Sequence, residues 1–168
     1  AKDRQRLVRA LQRLDCRLAV YGRGWRGHGA RGLLPFAEQV PALQRSRISA
    51  GTSHYPDYPG NFSDRLPISL YAGRVHVTCR IPGAEWLPGP EAGLFLADTP
   101  RGAARLVREL LREDPAALHE AGLRGHRWVV ERLTDEHALR HMLGHHIPLP
   151  PPPADPWQAV ATTGRGAG

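Results

Sequence analysis

Three short segments carry the side chains best suited to chemistry on an anionic ligand. Gly22-Arg23-Gly24-Trp25 joins two glycines, which permit close backbone approach, to a guanidinium and a large aromatic face. That set suits a phosphate or a stacked base. It is not the GxGxxG fingerprint, and a glycine loop with one tryptophan is as readily structural. Asn61-Phe62-Ser63-Asp64-Arg65 stands where turn formers give way to an apolar pattern. A helix starting there offers free N–H groups and about half a positive charge, to which Arg65 adds a bidentate donor. The plainer reading is a surface arginine behind an Asp64 cap. Pro82-Gly-Ala-Glu85-Trp86 follows a strand-like run, and its carboxylate can accept hydrogen bonds from sugar hydroxyls. A single glutamate in a loop is more often simply solvated.

Other chemistries find less support. His137, His141, His145 and His146 step along one helix face. No carboxylate or cysteine joins them at a ligand spacing, and histidines on an exposed C-terminal turn already complement the helix dipole. The expectation is therefore no metal site. Cys16 and Cys79 form no close pair or metal spacing. No Ser-His-Asp order, nucleophile elbow or Walker loop is present, so the residues name no catalytic nucleophile or base.

The elements that must position these segments follow from periodicity. Leu7, Val8, Leu11 and Leu14 fall at helical spacing within Asp3–Leu14, with Arg4, Arg6, Arg9 and Arg13 elsewhere around the turn. Arg17–Tyr21 reads as a strand, followed by a loop with five glycines between positions 22 and 32. Leu33–Phe36 reads as a second strand, Ala37–Arg45 as a short helix, and Arg47–Thr52 as another strand. Asn61 to Asp64 supply N-cap candidates for a helix running to about Ala72, with Pro67 in its first turn and Gly73 at its end. Val75–Cys79 alternates as a strand and Gly93–Leu96 as a short final one. Thr99-Pro100 and Asp114-Pro115 pair an N-cap with proline at the first helical position, opening a helix with the stripe Ala103, Leu106, Val107, Leu110, Leu111 and then helices at 115–132 and 134–143.

Strands alternating with helices predict an α/β, Rossmann-like three-layer sandwich with a mainly parallel sheet over residues 1–143. Residues 144–168, with six prolines, read as a Pro/Gly-rich disordered tail. In such a sheet ligands bind outside the carboxyl ends of the strands, where the loops after Tyr21, Thr52 and Cys79 fall. The 168 residues carry 23 basic and 16 acidic side chains, a net +7, and all but one of the basic residues are arginine. Residues 1–47 hold 11 basic against 3 acidic, a net +8, whereas residues 48–168 hold 12 against 13. One end carries the whole excess, which can face phosphates, an anionic membrane or RNA, or be a solvated face. No apolar run of about 18 residues spans a membrane, and no leader opens the chain, so a cytoplasmic location, with peripheral membrane contact at most, is expected.

Read as a series, these segments resemble the C-terminal half of a GT-B-fold glycosyltransferase of the glycosyl transferases group 1 kind, closest to its CgeB-like, spore maturation protein branch. The resemblance covers about residues 4–143. It rests on Leu18-Ala-Val-Tyr-Gly-Arg-Gly-Trp25; Leu34-Pro-Phe36 with Val40-Pro-Ala-Leu43 and Ser46-Arg-Ile48; and Ser63-Asp-Arg-Leu66 with Leu70-Tyr-Ala-Gly73. It continues through Pro82-Gly-Ala-Glu85, Gly93-Leu-Phe-Leu96, the helix from Thr99, and Asp114-Pro115 leading to Gly125-His126. Order and spacing together make the case.

The resemblance implies a transferase domain that binds a nucleotide-diphosphate sugar without a metal or other cofactor. The acceptor would sit mainly in a separate N-terminal domain absent here, together with the first strand of this half. By position, Gly22, Arg23, Gly24 and Trp25 would line the donor pocket, Leu34 and Phe36 would lie near the nucleobase, and Asn61, Ser63, Asp64 and Arg65 by the diphosphate. Many retaining relatives carry two glutamates where this chain has Gly60 and Ile68. Ile68 cannot accept hydrogen bonds from ribose hydroxyls, which leaves Glu85 as the nearest carboxylate on that side. A non-catalytic α/β module for nucleotide-like or other anionic partners is the competing reading. The basic segment has few aromatics and no RNA-binding motif, which argues against nucleic acid.

Overall fold

The computed structural model describes residues 2–53, 55 and 58–144. Residues 1–133 form one compact unit, and a second begins at Thr134. The first holds helix α1 (Lys2–Leu11), strands β1 (Val20–Tyr21) and β2 (Ala30–Gly32), helix α2 (Gln39–Gln44), strand β3 (Ile48–Ala50) and helix α3 (Arg65–Tyr71). Strand β4 (Val75–Cys79), strand β5 (Leu94–Ala97), helix α4 (Pro100–Leu110) and helix α5 (Pro115–Arg132) complete it. Helix α6 (Asp135–Gly144) is the described part of the second unit. The expected tail beyond Gly144 lies outside the described residues.

Every strand pairing is parallel. β3, β4 and β5 form one sheet in that order, and β1 pairs β2 in another. β4 is the middle strand, with Val75, His76, Val77 and Thr78 all buried. The two-residue period of a strand sends its side chains to two different cores. Val75 and Val77 join Leu7 and Leu11 of α1 and Ala103, Val107 and Leu110 of α4 on one face. Leu94 of β5 turns to the opposite face, where it meets Leu66 and Leu70 of α3 and Val129 of α5. Helices therefore cover both faces of the parallel sheet, which is the α/β three-layer arrangement expected.

The strongest local signals match the observed elements. Thr99 Oγ1 accepts from Gly102 N at 3.0 Å and Asp114 Oδ1 from Ala116 N at 3.0 Å, so both helices open on the capping residue followed by proline. The expected strand at Leu33–Phe36 forms earlier, at Ala30–Gly32. Gly22 N donates to Gly32 O at 2.7 Å, Gly32 then turns the chain at φ +78°, and Pro35 has no N–H to continue the ladder. Phe36–Glu38 is a 3₁₀ turn instead. α1 ends at Leu11 rather than Leu14 because its last bonds tighten to i→i−3, with Arg13 N on Ala10 O and Leu14 N on Leu11 O.

Helix α5 presses backbone against backbone. A Cβ on Gly122 would collide with the carbonyl of Gly73, and one on Gly125 with the carbonyl of Ala92. On an exposed helix Gly→Ala stabilises by about 1 kcal/mol. Here Gly122→Ala is expected to destabilise by about 1 to 3 kcal/mol, because the Gly73 carbonyl cannot retreat without moving the turn before β4. Urea-unfolding midpoints measure the sign directly, and a stabilised variant would contradict the close approach.

Candidate functional site

At the carboxyl end of β3 the chain passes through Gly51, Thr52 and Ser53 into a loop that returns at Asn61. Gly51 N still donates to Val77 O at 3.0 Å, so the loop departs from the sheet itself. Asn61 closes it. Its Nδ2 donates to Tyr55 O at 3.2 Å and Ser53 Oγ at 3.4 Å, while Ser53 Oγ donates to Asn61 O at 3.2 Å. Gly60 N donates to Pro82 O at 2.6 Å, tying this loop to the 82–87 turn. Asn61 thus spends its amide inside the loop.

Asp64 occupies the N-cap position of α3 but makes no capping hydrogen bond. Ser63 does the local work: its Oγ donates to Asp64 Oδ1 at 2.9 Å and accepts from Arg65 Nη1 at 2.9 Å and Arg65 N at 3.4 Å. The Arg65–Asp64 pair is 4.0 Å apart and exposed, a geometry that adds little stability.

Two residues outside the expected set converge on Arg65. Arg4, half-buried on α1, is held below the ordinary guanidinium range by burial and then by the Arg65 charge, with Asp64 acting the other way. Cys79 at the end of β4 is pushed up by burial and then by Asp3, which brings the first turn of α1 to the same edge of the sheet. His76 lies beneath. It is 2% exposed, its Nδ1 sits 2.8 Å from Ser49 Oγ, and Ser49 Oγ is also 3.2 Å from Val75 O.

The one proton of Ser49 Oγ couples these bonds. Donated to Val75 O, it leaves Oγ to accept from Nδ1–H, and Nε2 carries the lone pair; donated to Nδ1, it leaves the proton on Nε2. The ring is neutral in both cases, because burial and the nearby Arg65 charge lower its pKa to about 4. A Cβ at Gly51 would stand 3.4 Å from His76 Cε1, 3.6 Å from Nε2 and 4.0 Å from Arg65 Cδ. Glycine at 51 therefore keeps open the ground between imidazole and arginine.

The glycine-loop residues belong to the other sheet. Gly22 and Gly24 have positive φ, and a Cβ on Gly22 would lie 3.0 Å from Trp25 Nε1, so the indole folds over that glycine. Gln12 pins the loop, donating Nε2 to Arg26 O at 2.8 Å and His28 O at 3.0 Å. Arg23 is exposed, Leu34 half-buried, and Phe36 78% exposed. No hydrogen bond, ion pair or ring contact joins Gly22–Trp25, Leu34 or Phe36 to the Asn61–Arg65 set among the described residues. Glu85 is exposed, between Ala84 and Leu87 of the second core, and its charge reaches Arg80. Ile68 is half-buried on α3.

Sequence reasoning missed Arg4 and His76. Arg4 reads as one of several arginines around an amphipathic helix, and His76 as the polar step of an alternating strand. Only the pairing of β3 with β4 reveals a histidine with a serine opposite it. Among the described residues no group of three metal-ligating side chains comes together.

The sequence model of a family described as glycosyl transferase-like matches residues 4–144. No curated protein sequence matches the chain. Among solved structures it is similar to sucrose-phosphate synthase from Thermosynechococcus elongatus, with TM-score 0.64 and 16% identity over 96% of this chain and 43% of that one. It is also similar to HepE from Anabaena in complex with UDP and glucose, with TM-score 0.64 and 13% identity over 86% of this chain and 45% of that one. The same protein in complex with UDP gives TM-score 0.59. At these identities the likeness is one of fold, that of a Rossmann-like half of a GT-B pair. The chain spans less than half the length of either neighbour.

His76 makes stability depend on pH. The unfolded chain's histidine titrates near 6.5 and the folded one at about 4, so between these values only the unfolded state takes up the proton. Stability is therefore complete above about pH 6.5 and falls by on the order of 3 kcal/mol as pH drops toward 4. His76→Gln should flatten that slope in urea unfolding across the same window. Parallel slopes for variant and wild type would contradict the assignment.

Proposed function

This chain belongs to the glycosyl transferase-like family, and from that premise we propose that residues 1–143 are the donor-binding domain of a nucleotide-sugar glycosyltransferase. Within the family, the segments from Leu18 to Trp25 and from Ser63 to Gly73 support a position near the CgeB-like branch. The acceptor and any general base belong to a partner domain outside this chain. No helix among the described residues is long and apolar enough to cross a membrane.

The observation that carries this reading is the approach of Arg4 to Arg65 at the carboxyl edge of a parallel sheet. The two like charges, one of them partly desolvated, repel, and Asp64 offsets that repulsion only in part. A diphosphate between them turns that repulsion into two charge-assisted contacts. The crystal complex of HepE with UDP and glucose supports this ligand class. In the reaction the anomeric carbon is transferred to an acceptor hydroxyl oxygen, whose proton passes to the general base, while the bond from that carbon to the diphosphate oxygen breaks and negative charge grows on the leaving oxygen. Arg4 and Arg65 stabilise that charge without a metal ion. His76 stays neutral below them, so it adds no third positive charge in the absence of donor, and Gly51 lets the phosphate approach the sheet edge.

The family resemblance adds further residues to the donor site. By position Gly22 to Trp25 would line it, with Arg23 as a further cation; Leu34 and Phe36 would lie by the nucleobase; and Asn61 and Ser63 would shape the diphosphate loop. With Ile68 in place of a carboxylate, Glu85 is the group offered to the ribose or sugar hydroxyls.

The test is UDP titration of Arg4→Ala and Arg65→Ala. Each removes one charge-assisted contact and should weaken binding by roughly 10-fold to 100-fold. Removing Arg65 also relieves the repulsion on Arg4, so the unliganded variant should unfold no earlier than wild type. Unchanged UDP affinity in both variants would remove the pair from the site.

A further inference from the structure

The sequence puts all excess positive charge in residues 1–47, but packing extends it. Helix α4 lies against α1, with Leu7 and Leu11 meeting Ala103, Val107 and Leu110 in one core. Along the outside runs an open groove of about 250 Å³ lined by Leu14, Arg101, Ala104, Arg105 and Arg108. Arg101, Arg105 and Arg108 stand at i, i+4 and i+7, so they share one face of α4 over about 10 Å. All three are exposed, and among the described residues none makes an ion pair or a side-chain hydrogen bond. Among the described residues no carboxylate lines the groove. Glu109 and Glu113 are exposed nearby but outside it, and Asp3 is occupied by Arg6 at 3.0 Å. α1 and its extension add exposed Arg9 and Arg13.

We propose that this arginine groove on α4, flanked by α1, docks the domain on the anionic phospholipid headgroups of a membrane surface. The groove shares no residue with the proposed donor site, so the two readings stand or fall separately. Charge complementarity selects the occupant: three unpaired guanidiniums in a row present donors to phosphates lying in a plane. Contact is electrostatic and without insertion, because the exposed large apolar side chains of the described residues lie elsewhere and none is on α1 or α4. The same fact disfavours single-stranded nucleic acid, which binds by stacking bases on aromatic side chains as well as by charge.

The experiment is co-sedimentation of the intact protein with vesicles of phosphatidylcholine containing phosphatidylserine, against phosphatidylcholine alone. Wild type should partition to the anionic vesicles and release as salt rises. A variant with Arg101→Gln, Arg105→Gln and Arg108→Gln should partition on the order of 100-fold less, with UDP binding unchanged. Glu109→Lys, which adds charge beside the groove, should raise the partition, and it carries the test should the triple variant fail to fold. Four results would overturn the proposal: no preference for anionic vesicles, equal partition of the triple variant, displacement by inorganic phosphate at constant ionic strength, or tighter groove-dependent binding to single-stranded RNA.

Discussion

The carboxyl edge of this domain depends on one register, in which Ile48, Ser49 and Ala50 lie opposite Val75, His76 and Val77. β4 is buried on both faces, and a polar ring in its middle needs a partner. Ser49 supplies it because it stands directly across the ladder. A slip of one residue would set Ile48 or Ala50 there instead, leaving the imidazole unsatisfied and reversing the faces of β3. The same register sends Gly51 out over His76 and sets where the loop to α3 begins. The positions of Arg65 and of the open ground at Gly51 therefore descend from a single backbone alignment.

Around that edge the domain accepts local costs. Arg4 and Arg65 oppose each other, and Asp64 holds the N-cap position of α3 without capping it. α3 is only seven residues long, so its own dipole contributes less than the two side chains. Stability comes from elsewhere: two apolar cores on opposite faces of the sheet, capped starts on α4 and α5, and the glycine approach of α5 to the turns before β4 and β5. A scaffold holding a pair of like charges that Asp64 offsets only in part suits a binding site for an anion, since the ligand supplies the remaining countercharge.

Much of the scaffold was legible in the residues. Val75–Cys79 alternates in β-branched fashion, and Thr99-Pro100 and Asp114-Pro115 announce helix starts by chemistry that acts within a few residues. β1 was legible within the strand read at Arg17–Tyr21, whereas β2 lay hidden in the glycine-rich loop that follows, because its pairing rests on Gly29 and Gly32 carbonyls rather than on side-chain alternation. The site was half legible. Arg65 follows from its place at a helix start, whereas Arg4 looks like any solvated arginine until α1 is laid against the sheet. His76 carries no signal of its own, since its meaning lies in Ser49, 27 residues away. Asn61 shows the converse: its type and position advertise a ligand contact, and its amide is committed to the loop.

A crystal structure of the domain with UDP would test the account most directly. The diphosphate should lie over Gly51, with Arg4 and Arg65 turned from mutual repulsion onto its oxygens and His76 still bonded to Ser49. A diphosphate seated elsewhere, in the α4 groove or wholly on the Gly22–Trp25 loop with Arg4 and Arg65 undisturbed, would contradict it.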